Sequence, residues 1–267
     1  MRVNAGRVPT LKQIAHGTAV ALAVALASPG GAQGSMSGES LAPFSTFYVT
    51  TGTLLMDVSR LNPHFERVDL AVNKRPGFYT LSNDGYSVGL GGYGPVMGRL
   101  VLGGEFHSAD MGQETSPAGK TNQLTTTYWM GTLGYAALTF WKVNIVPFVG
   151  IGTGSATVTL RSRDGGPTVS DAFSPTFDEV IESPGSMSTM KGSYVMVQPG
   201  LAIDVLMLRS EKSHIGLTLG LRFASAITPN RTTWQYKGQD VFGGPDLGPS
   251  GGTMRVIAGI GGFRLGR

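Results

Sequence analysis

The sequence predicts an all-β protein, folded as an eight-stranded antiparallel up-and-down transmembrane β-barrel. First, residues 194–205 and 215–224 alternate between large apolar and small or polar side chains, with a short charged stretch between them. This period of two indicates an antiparallel hairpin. Second, the apolar residues share one face of the hairpin, and a membrane barrel turns such a face toward lipid. Third, the connections between the strand candidates alternate in length, which is typical of membrane barrels with short turns at one end and long loops at the other.

The strand candidates follow one another along the chain from residue 45. They are 45–58, 86–94, 100–107, 124–140, 143–154, 194–205, 215–224 and 253–265. Short periplasmic turns are predicted near residues 96, 142 and 211, and four long external loops at 59–85, 109–123, 162–191 and 225–252. The third loop is expected to hold one or two helical turns within 175–182. Pro199 cannot donate to a strand ladder, so a β-bulge is expected there.

The N-terminal region has the layout of a secretory signal peptide. Three basic residues precede an uncharged apolar run at 17–27, and small residues follow it. This run is shorter than the roughly 20 residues that a transmembrane helix needs. Cleavage is expected after Ala27 or Ala32. The predicted organisation is a signal peptide at 1–32, a spacer at 33–44 and the barrel at 45–267.

Composition argues against several classes of function. The 267 residues include no cysteine, so neither a disulfide framework nor a thiolate metal site is expected. Three of the 21 Lys and Arg residues belong to the predicted leader, which leaves 18 against 17 Asp and Glu, a net charge of about +1. Such a balance does not favour nucleic-acid binding. No cofactor or metal is predicted, because His64 and His214 lack neighbouring ligands and no helix follows the glycine runs.

Glycine-rich strand segments carry a family resemblance. VPFVGIGTG (146–154), GLGGYG (89–94) and GIGGF (259–263) resemble the strands of small outer-membrane barrels of the OmpA/OmpX type. The resemblance implies an eight-stranded barrel in the outer membrane of a Gram-negative-type bacterium. The alternative, a secreted lipocalin-like or sandwich domain, accounts for the strands but neither for the alternating loop lengths nor for the outward apolar face.

Four polar residues at inward-facing positions are predicted to form a cluster inside the barrel: Glu105, His107, Asp204 and Arg222. Glu105 and Arg222 lie at similar distances from their turns, on strands that face each other across a narrow interior. A carboxylate and a guanidinium buried together are expected to pair. Asp204 is expected nearer the turns as a secondary acceptor, and Gly200 is expected opposite Arg222. The alternative is that both charges contact interior water.

Aromatic residues are predicted to form girdles at the two membrane interfaces. They are Tyr48, Tyr86, Tyr128, Trp129, Phe140, Trp141 and Phe223.

The predicted function is non-enzymatic, a structural or surface-interaction role in the cell outer membrane through the external loops. The expected partners are outer-membrane lipid and an unidentified loop ligand, and the expected state is a monomer. One alternative is a narrow channel or a small apolar-ligand carrier. Another is a lipid-modifying enzyme that would use His107 and Ser108, but neighbouring strand residues point to opposite faces and rarely come within hydrogen-bond reach.

Overall fold

The structure is a computed structural model. It describes residues 45–56, 58, 60, 63, 65, 81, 84–116, 119–140, 142–163, 175–210, 215–229 and 232–262. The predicted signal peptide (1–32) and spacer (33–44) lie outside the described residues.

Strands make up most of the described chain, and one short helix accompanies them. The elements are β1 (Ser45–Leu55), β2 (Asp84–Met97), β3 (Leu100–Thr115), β4 (Lys120–Tyr135), β5 (Leu138–Phe140), β6 (Val143–Ser162), α1 (Phe177–Glu182), β7 (Met187–Ser210), β8 (Ile215–Ala226), β9 (Thr233–Tyr236), β10 (Gln239–Val241) and β11 (Gly251–Gly262).

Eight of these strands close into a ring. Their order is β1–β2–β3–β4–β6–β7–β8–β11, and every neighbouring pair is antiparallel. β11 returns to β1 in a ladder that runs from the pair Ser45–Gly262 to the pair Gly52–Arg255. The three remaining strands lie beside the ring, with β5 on β6, β9 on β7 and β10 on β9. The predicted eight-stranded antiparallel barrel is therefore confirmed.

Successive strands run in opposite directions, so their connections alternate between two ends of the barrel. The connections at 98–99, 136–142 and 211–214 define what we call the turn end. The opposite end, called the loop end, carries the connections at 56–83, 116–119, 163–186 and 227–250.

Several predicted loop boundaries are wrong because the strands are longer than expected. The segment predicted as a loop at 109–123 is mostly strand, since β3 runs to Thr115 and β4 begins at Lys120. The predicted loop at 225–252 contains the β9–β10 hairpin, and the loop at 162–191 contains α1 and the start of β7. The bulge expected at Pro199 is also wrong. Pro199 pairs in continuous register with Val149, and the β7–β8 register shifts instead between Leu206 and Leu208.

The outer wall changes from apolar to polar along the strands. Near the turn end, large apolar side chains are exposed, among them Val149 at 45% and Ile151 at 63%. Further along the same face of β6, Ser155 and Thr157 take their place. The row at the change consists of Phe106, Trp129, Thr153 and Val195, three of which are apolar, and these are successive partners across β3, β4, β6 and β7. This row divides the barrel into a turn-end half and a loop-end half.

The interior of the loop-end half is an apolar core. Buried side chains from β3, β4, β6 and β7 pack there with residues of the connections. α1 contributes Phe177, Val180 and Ile181 to this core, and the Phe177 ring lies 4.9 Å from the ring of Trp234 in an edge-on arrangement. The helix begins with a capping box in which the Thr176 hydroxyl accepts from the Glu179 amide while the Glu179 carboxylate accepts from the Thr176 amide.

Candidate functional site: a polar cluster inside the barrel

Buried polar side chains from several strands meet at mid-height in the barrel. Each is at most 4% exposed and lies on the inward-facing positions of its strand. Together they are called the interior cluster, which consists of Tyr48, Ser87, Glu105, His107, Gln198, Arg222 and Arg255. Apolar residues cover it on both sides, with the loop-end core above and a smaller group that includes Val146 and Phe148 below.

Glu105 is the centre of the interior cluster. One carboxylate oxygen accepts from the Tyr48 hydroxyl at 2.6 Å and forms an ion pair with Arg222. The other oxygen accepts from Nη1 of Arg255 at 2.7 Å. A single buried carboxylate therefore serves two guanidinium groups from two different strands, β8 and β11. Charge-assisted bonds of this kind offset the cost of taking the three charges out of water.

His107 lies between Glu105, Arg255 and Ser87. Its Nε2 lies 2.9 Å from a carboxylate oxygen of Glu105 and 2.6 Å from Nη1 of Arg255, and its Nδ1 lies 3.3 Å from the Ser87 hydroxyl. Nε2 donates to the carboxylate in one tautomer and accepts from the guanidinium in the other. The ring stacks on Tyr128, with centroids 4.7 Å apart.

Arg222 fills the barrel on the turn-end side of the cluster. Its guanidinium lies 4.4 Å from the ring centroid of Tyr48, 5.3 Å from that of Tyr93 and 5.6 Å from that of Phe148. These aromatic faces attract the cation in addition to Glu105. The residue paired with Arg222 across the hairpin is Ala202 rather than the predicted Gly200.

Asp204 lies apart from the Glu105 carboxylate. It accepts a hydrogen bond from the Tyr93 hydroxyl and is fully buried. The structure thus places Glu105, His107 and Arg222 together and puts Asp204 nearer the turn end, one aromatic ring away from Arg222.

Inward-facing glycines make room for the largest side chains of the interior cluster. A Cβ atom on Gly91 would lie 2.7 Å from the Tyr48 ring, and one on Gly89 would lie 2.6 Å from Nδ1 of His107. Both distances are shorter than side-chain carbon atoms tolerate. The GLGGYG segment therefore contributes space to the cluster.

The predicted aromatic girdles are partly wrong. Tyr48 and Tyr128 are interior residues, only 1% and 2% exposed, because they occupy the inward-facing positions of β1 and β4. Tyr86, Trp129 and Phe223 do face outward. The side chain of Phe140 and the whole of Trp141 lie outside the described part of the structure.

Tyr48, Ser87, Gln198 and Arg255 are cluster residues that the sequence reasoning missed. Arg255 had a detectable signal, since it shares the inward-facing positions of β11 with Thr253 and Ile257. A charge at such a position in an otherwise apolar strand requires a partner. Gln198 faces inward next to Pro199, and the side-chain type alone does not show that it accepts from Arg255 at 3.2 Å.

Within the described residues, no group of three or more His, Asp or Glu side chains has the arrangement of a metal site. The short helix that the structure describes is not long and apolar enough to cross a membrane.

The closed ring, the outward apolar band and the buried polar interior define a barrel of the class found in small outer-membrane proteins. No protein-family model and no curated protein sequence matches the chain.

Three solved structures show a likeness of fold. Ail, the attachment invasion locus protein of Yersinia pestis, is 9% identical with a TM-score of 0.40, and the match covers 84% of this chain and 100% of Ail. A major outer membrane protein from Thermus thermophilus is 8% identical with a TM-score of 0.40, covering 82% and 99%. The outer membrane protease OmpT from Escherichia coli is 8% identical with a TM-score of 0.35, covering 87% and 99%. Likeness at this level says nothing about activity or ligand.

Proposed function

We propose that the protein is a non-enzymatic outer-membrane barrel that presents a rigid recognition surface at its loop end. The observation that carries the proposal is the filled interior at mid-height, where Glu105, Arg222 and Arg255 close the barrel with fully buried side chains. The apolar turn-end wall would lie in lipid, and the loop end would face the outside of the cell. The proposal also includes that the protein is a monomer and that its signal peptide is removed.

The packing of the interior argues against a channel. Below Arg222, a cavity lined by Tyr93, Val101, Phe148 and neighbouring residues has a volume of about 10 Å³. This is at most the space for one water molecule. Eight strands enclose an interior that side chains can fill completely, and here they do so with hydrogen-bonded polar groups.

The interior cluster also contains the residue types of a Ser–His–acid triad, which favours an enzyme as a second candidate. Ser87, His107 and Glu105 are joined at 3.3 Å and 2.9 Å. However, Ser87 and His107 are at most 1% exposed, so this arrangement shields both side chains from any substrate.

Planar-bilayer recording tests the channel alternative directly. The refolded wild-type barrel is expected to give no single-channel steps. Folding would be checked by a heat-dependent change in gel mobility. A variant with Arg222→Ala and Phe148→Ala removes the plug and serves as the control that an opened barrel can be detected. Reproducible steps from the wild type would overturn the proposed closed barrel.

A lipid-modification assay tests the enzyme candidate. Wild-type protein and Ser87→Ala are both expected to leave radiolabelled outer-membrane lipids unchanged. Turnover by the wild type that Ser87→Ala abolishes would establish the enzyme instead.

Protease treatment of intact cells tests which end faces outward. Cleavage is expected in the long connections of the loop end, at 56–83, 163–186 and 227–250. Cleavage at 98–99, 136–142 or 211–214 instead would show that the orientation is reversed.

A further inference from the structure

The outer wall carries a groove where its apolar half meets its polar half. The groove has a volume of about 420 Å³. Its wall is formed by β3, β4, β6, β7 and β9. The lining residues include Phe106, Trp129 and Val195 on the apolar side and Ser193 and Lys191 on the polar side.

The outward residues at the groove are arranged in rows by strand register. Above the row of Phe106, Trp129, Thr153 and Val195 lies a row of hydroxyl groups from five neighbouring strands, all of which except Ser108 line the groove. It consists of Ser108, Thr127, Ser155, Ser193 and Thr233, each paired in register with the next. Two residues along a strand span about 7 Å, so the hydroxyl row stands that far above the first row.

Small residues make the wall concave at this place. Gly154, Ser155 and Ser193 lie between two larger side chains, Trp129, which is 60% exposed, and Lys191. The hydroxyls of Thr127 and Ser155 lie 3.2 Å apart, so they share one side of the groove.

We propose that this groove binds the headgroup of an anionic, phosphate-bearing lipid from the leaflet at the loop end. Acyl chains of that lipid would lie below, against Trp129 and Val195, and the phosphate would lie beside the hydroxyl row. Lys191, which lines the groove, provides the cation. The described lining residues include one lysine and no carboxylate, so the charge of the groove is complementary to a phosphate. This proposal rests on the membrane placement proposed above.

Fluorescence quenching of Trp129 by brominated lipids tests the proposal. The chain has three tryptophans. Replacing Trp141 by phenylalanine leaves two tryptophans, Trp129, which is exposed on the wall, and Trp234, which is buried in the core. The full chain is refolded into phosphatidylcholine vesicles with a minority of phosphatidylglycerol, and bromine is placed on either lipid in separate samples. A Trp129→Phe variant identifies the signal of this residue.

The expected result is a preference of Trp129 for phosphatidylglycerol over phosphatidylcholine of about five-fold, the effect of one lysine near a lipid surface. Lys191→Gln should abolish the preference. Ser193→Leu should do the same by filling the groove while the lysine remains. Lys237→Gln is the matched control, because it makes the same charge change at the turn between β9 and β10.

The outcomes separate this proposal from the membrane placement. Quenching by brominated phosphatidylcholine without any preference for the anionic lipid would overturn the groove and leave the membrane barrel intact. Equal loss of the preference in Lys191→Gln and Lys237→Gln would also overturn the groove, since net charge alone would explain it. No quenching by either lipid, with a dimer on unboiled gels, would mean that a second copy covers the groove. No quenching and no dimer would refute the membrane placement itself.

Discussion

The two halves of the barrel are built from the same strands but have opposite relations between inside and outside. In the turn-end half, exposed Val, Ile and Leu side chains form the wall and the interior holds Glu105, Arg222 and Asp204. In the loop-end half, Thr and Ser side chains form the wall and the interior is an apolar core around Trp234. Strand alternation is unbroken through both halves of β6, as its burial pattern shows.

The period of two is the same in both halves, so the difference lies in which face holds the apolar side chains, and each pattern fits a different surrounding. A wall in lipid is expected to be apolar, and the interior can then hold paired charges. A wall in water is expected to be polar, and stability then comes from burying apolar surface inside. The loop-end half follows the pattern of a soluble β-protein, on strands that continue from a membrane barrel.

The largest expected effect comes from removing the charge at the centre of the turn-end interior. Glu105→Gln leaves Arg222 and Arg255 buried without a carboxylate, so the free energy of unfolding should fall by about 3–5 kcal/mol. Arg222→Leu should cost less, because Glu105 keeps its bond to Arg255. Urea unfolding in lipid vesicles measures both changes.

The control for this experiment is Glu182→Gln, which changes an exposed carboxylate on α1 and should have almost no effect. Combining Glu105→Leu with Arg222→Leu should cost clearly less than the sum of the two single changes. Strictly additive losses would show that the pair does not couple and that the interior of this half is solvated.

The two halves also differ in how far the sequence predicts them. The strands of the turn-end half follow from clean alternation, and the positions of Glu105 and Arg222 in the alternation of β3 and β8 predict that both side chains point inward. The end of β3 at Thr115 and the start of β4 at Lys120 were not predicted. The outward residues of these segments are polar, so the segments resemble a loop. A prediction based on an apolar outward face has no signal where the outward residues are polar.

The sequence predicted three of the seven members of the interior cluster, Glu105, His107 and Arg222, but not the network of bonds around Glu105. The alternation along β3 and β8 places Glu105 and Arg222 inside the barrel, but it does not show that one carboxylate pairs with two arginines. That arrangement depends on which side chains meet across the ring, and Arg255 comes from a strand 150 residues later in the chain. The partner of Arg222 also differs from the predicted one by two residues, because the hairpin is centred after Glu211, with Ser210 opposite Ile215 and a one-residue register shift between Leu206 and Leu208.

The second expected effect distinguishes the two walls. Val149→Arg places a charge on the apolar wall of β6, and in lipid it should cost about 2–4 kcal/mol of unfolding free energy. Thr157→Arg places the same charge on the same face of the same strand, in the loop-end half, and should cost close to nothing. Urea titrations in vesicles compare the two. Equal costs would mean that the wall has one environment along its whole length and that the boundary at Trp129 is wrong.

The smallest expected effect tests whether the loop-end interior is dry. The Thr126 hydroxyl lies 2.6 Å from the Tyr194 hydroxyl and donates to the backbone carbonyl of Ser155 at 3.2 Å, and both side chains are buried. Thr126→Val keeps the shape but leaves the tyrosine hydroxyl and that carbonyl without this partner, which should cost about 1–3 kcal/mol in a dry core. Tyr194→Phe should cost less, because Thr126 still bonds to Ser155.

In the Tyr194→Phe background, the tyrosine hydroxyl that Thr126→Val would leave without a partner is already absent, so the cost of Thr126→Val should shrink. Thr157→Val, on the outer face of β6, is the matched control and should be close to neutral. If water entered the loop-end half, it would replace the lost partner in every background. Thr126→Val would then lower the free energy of unfolding as little as Thr157→Val does. The loop-end half would in that case be a water-filled cavity and not a packed core.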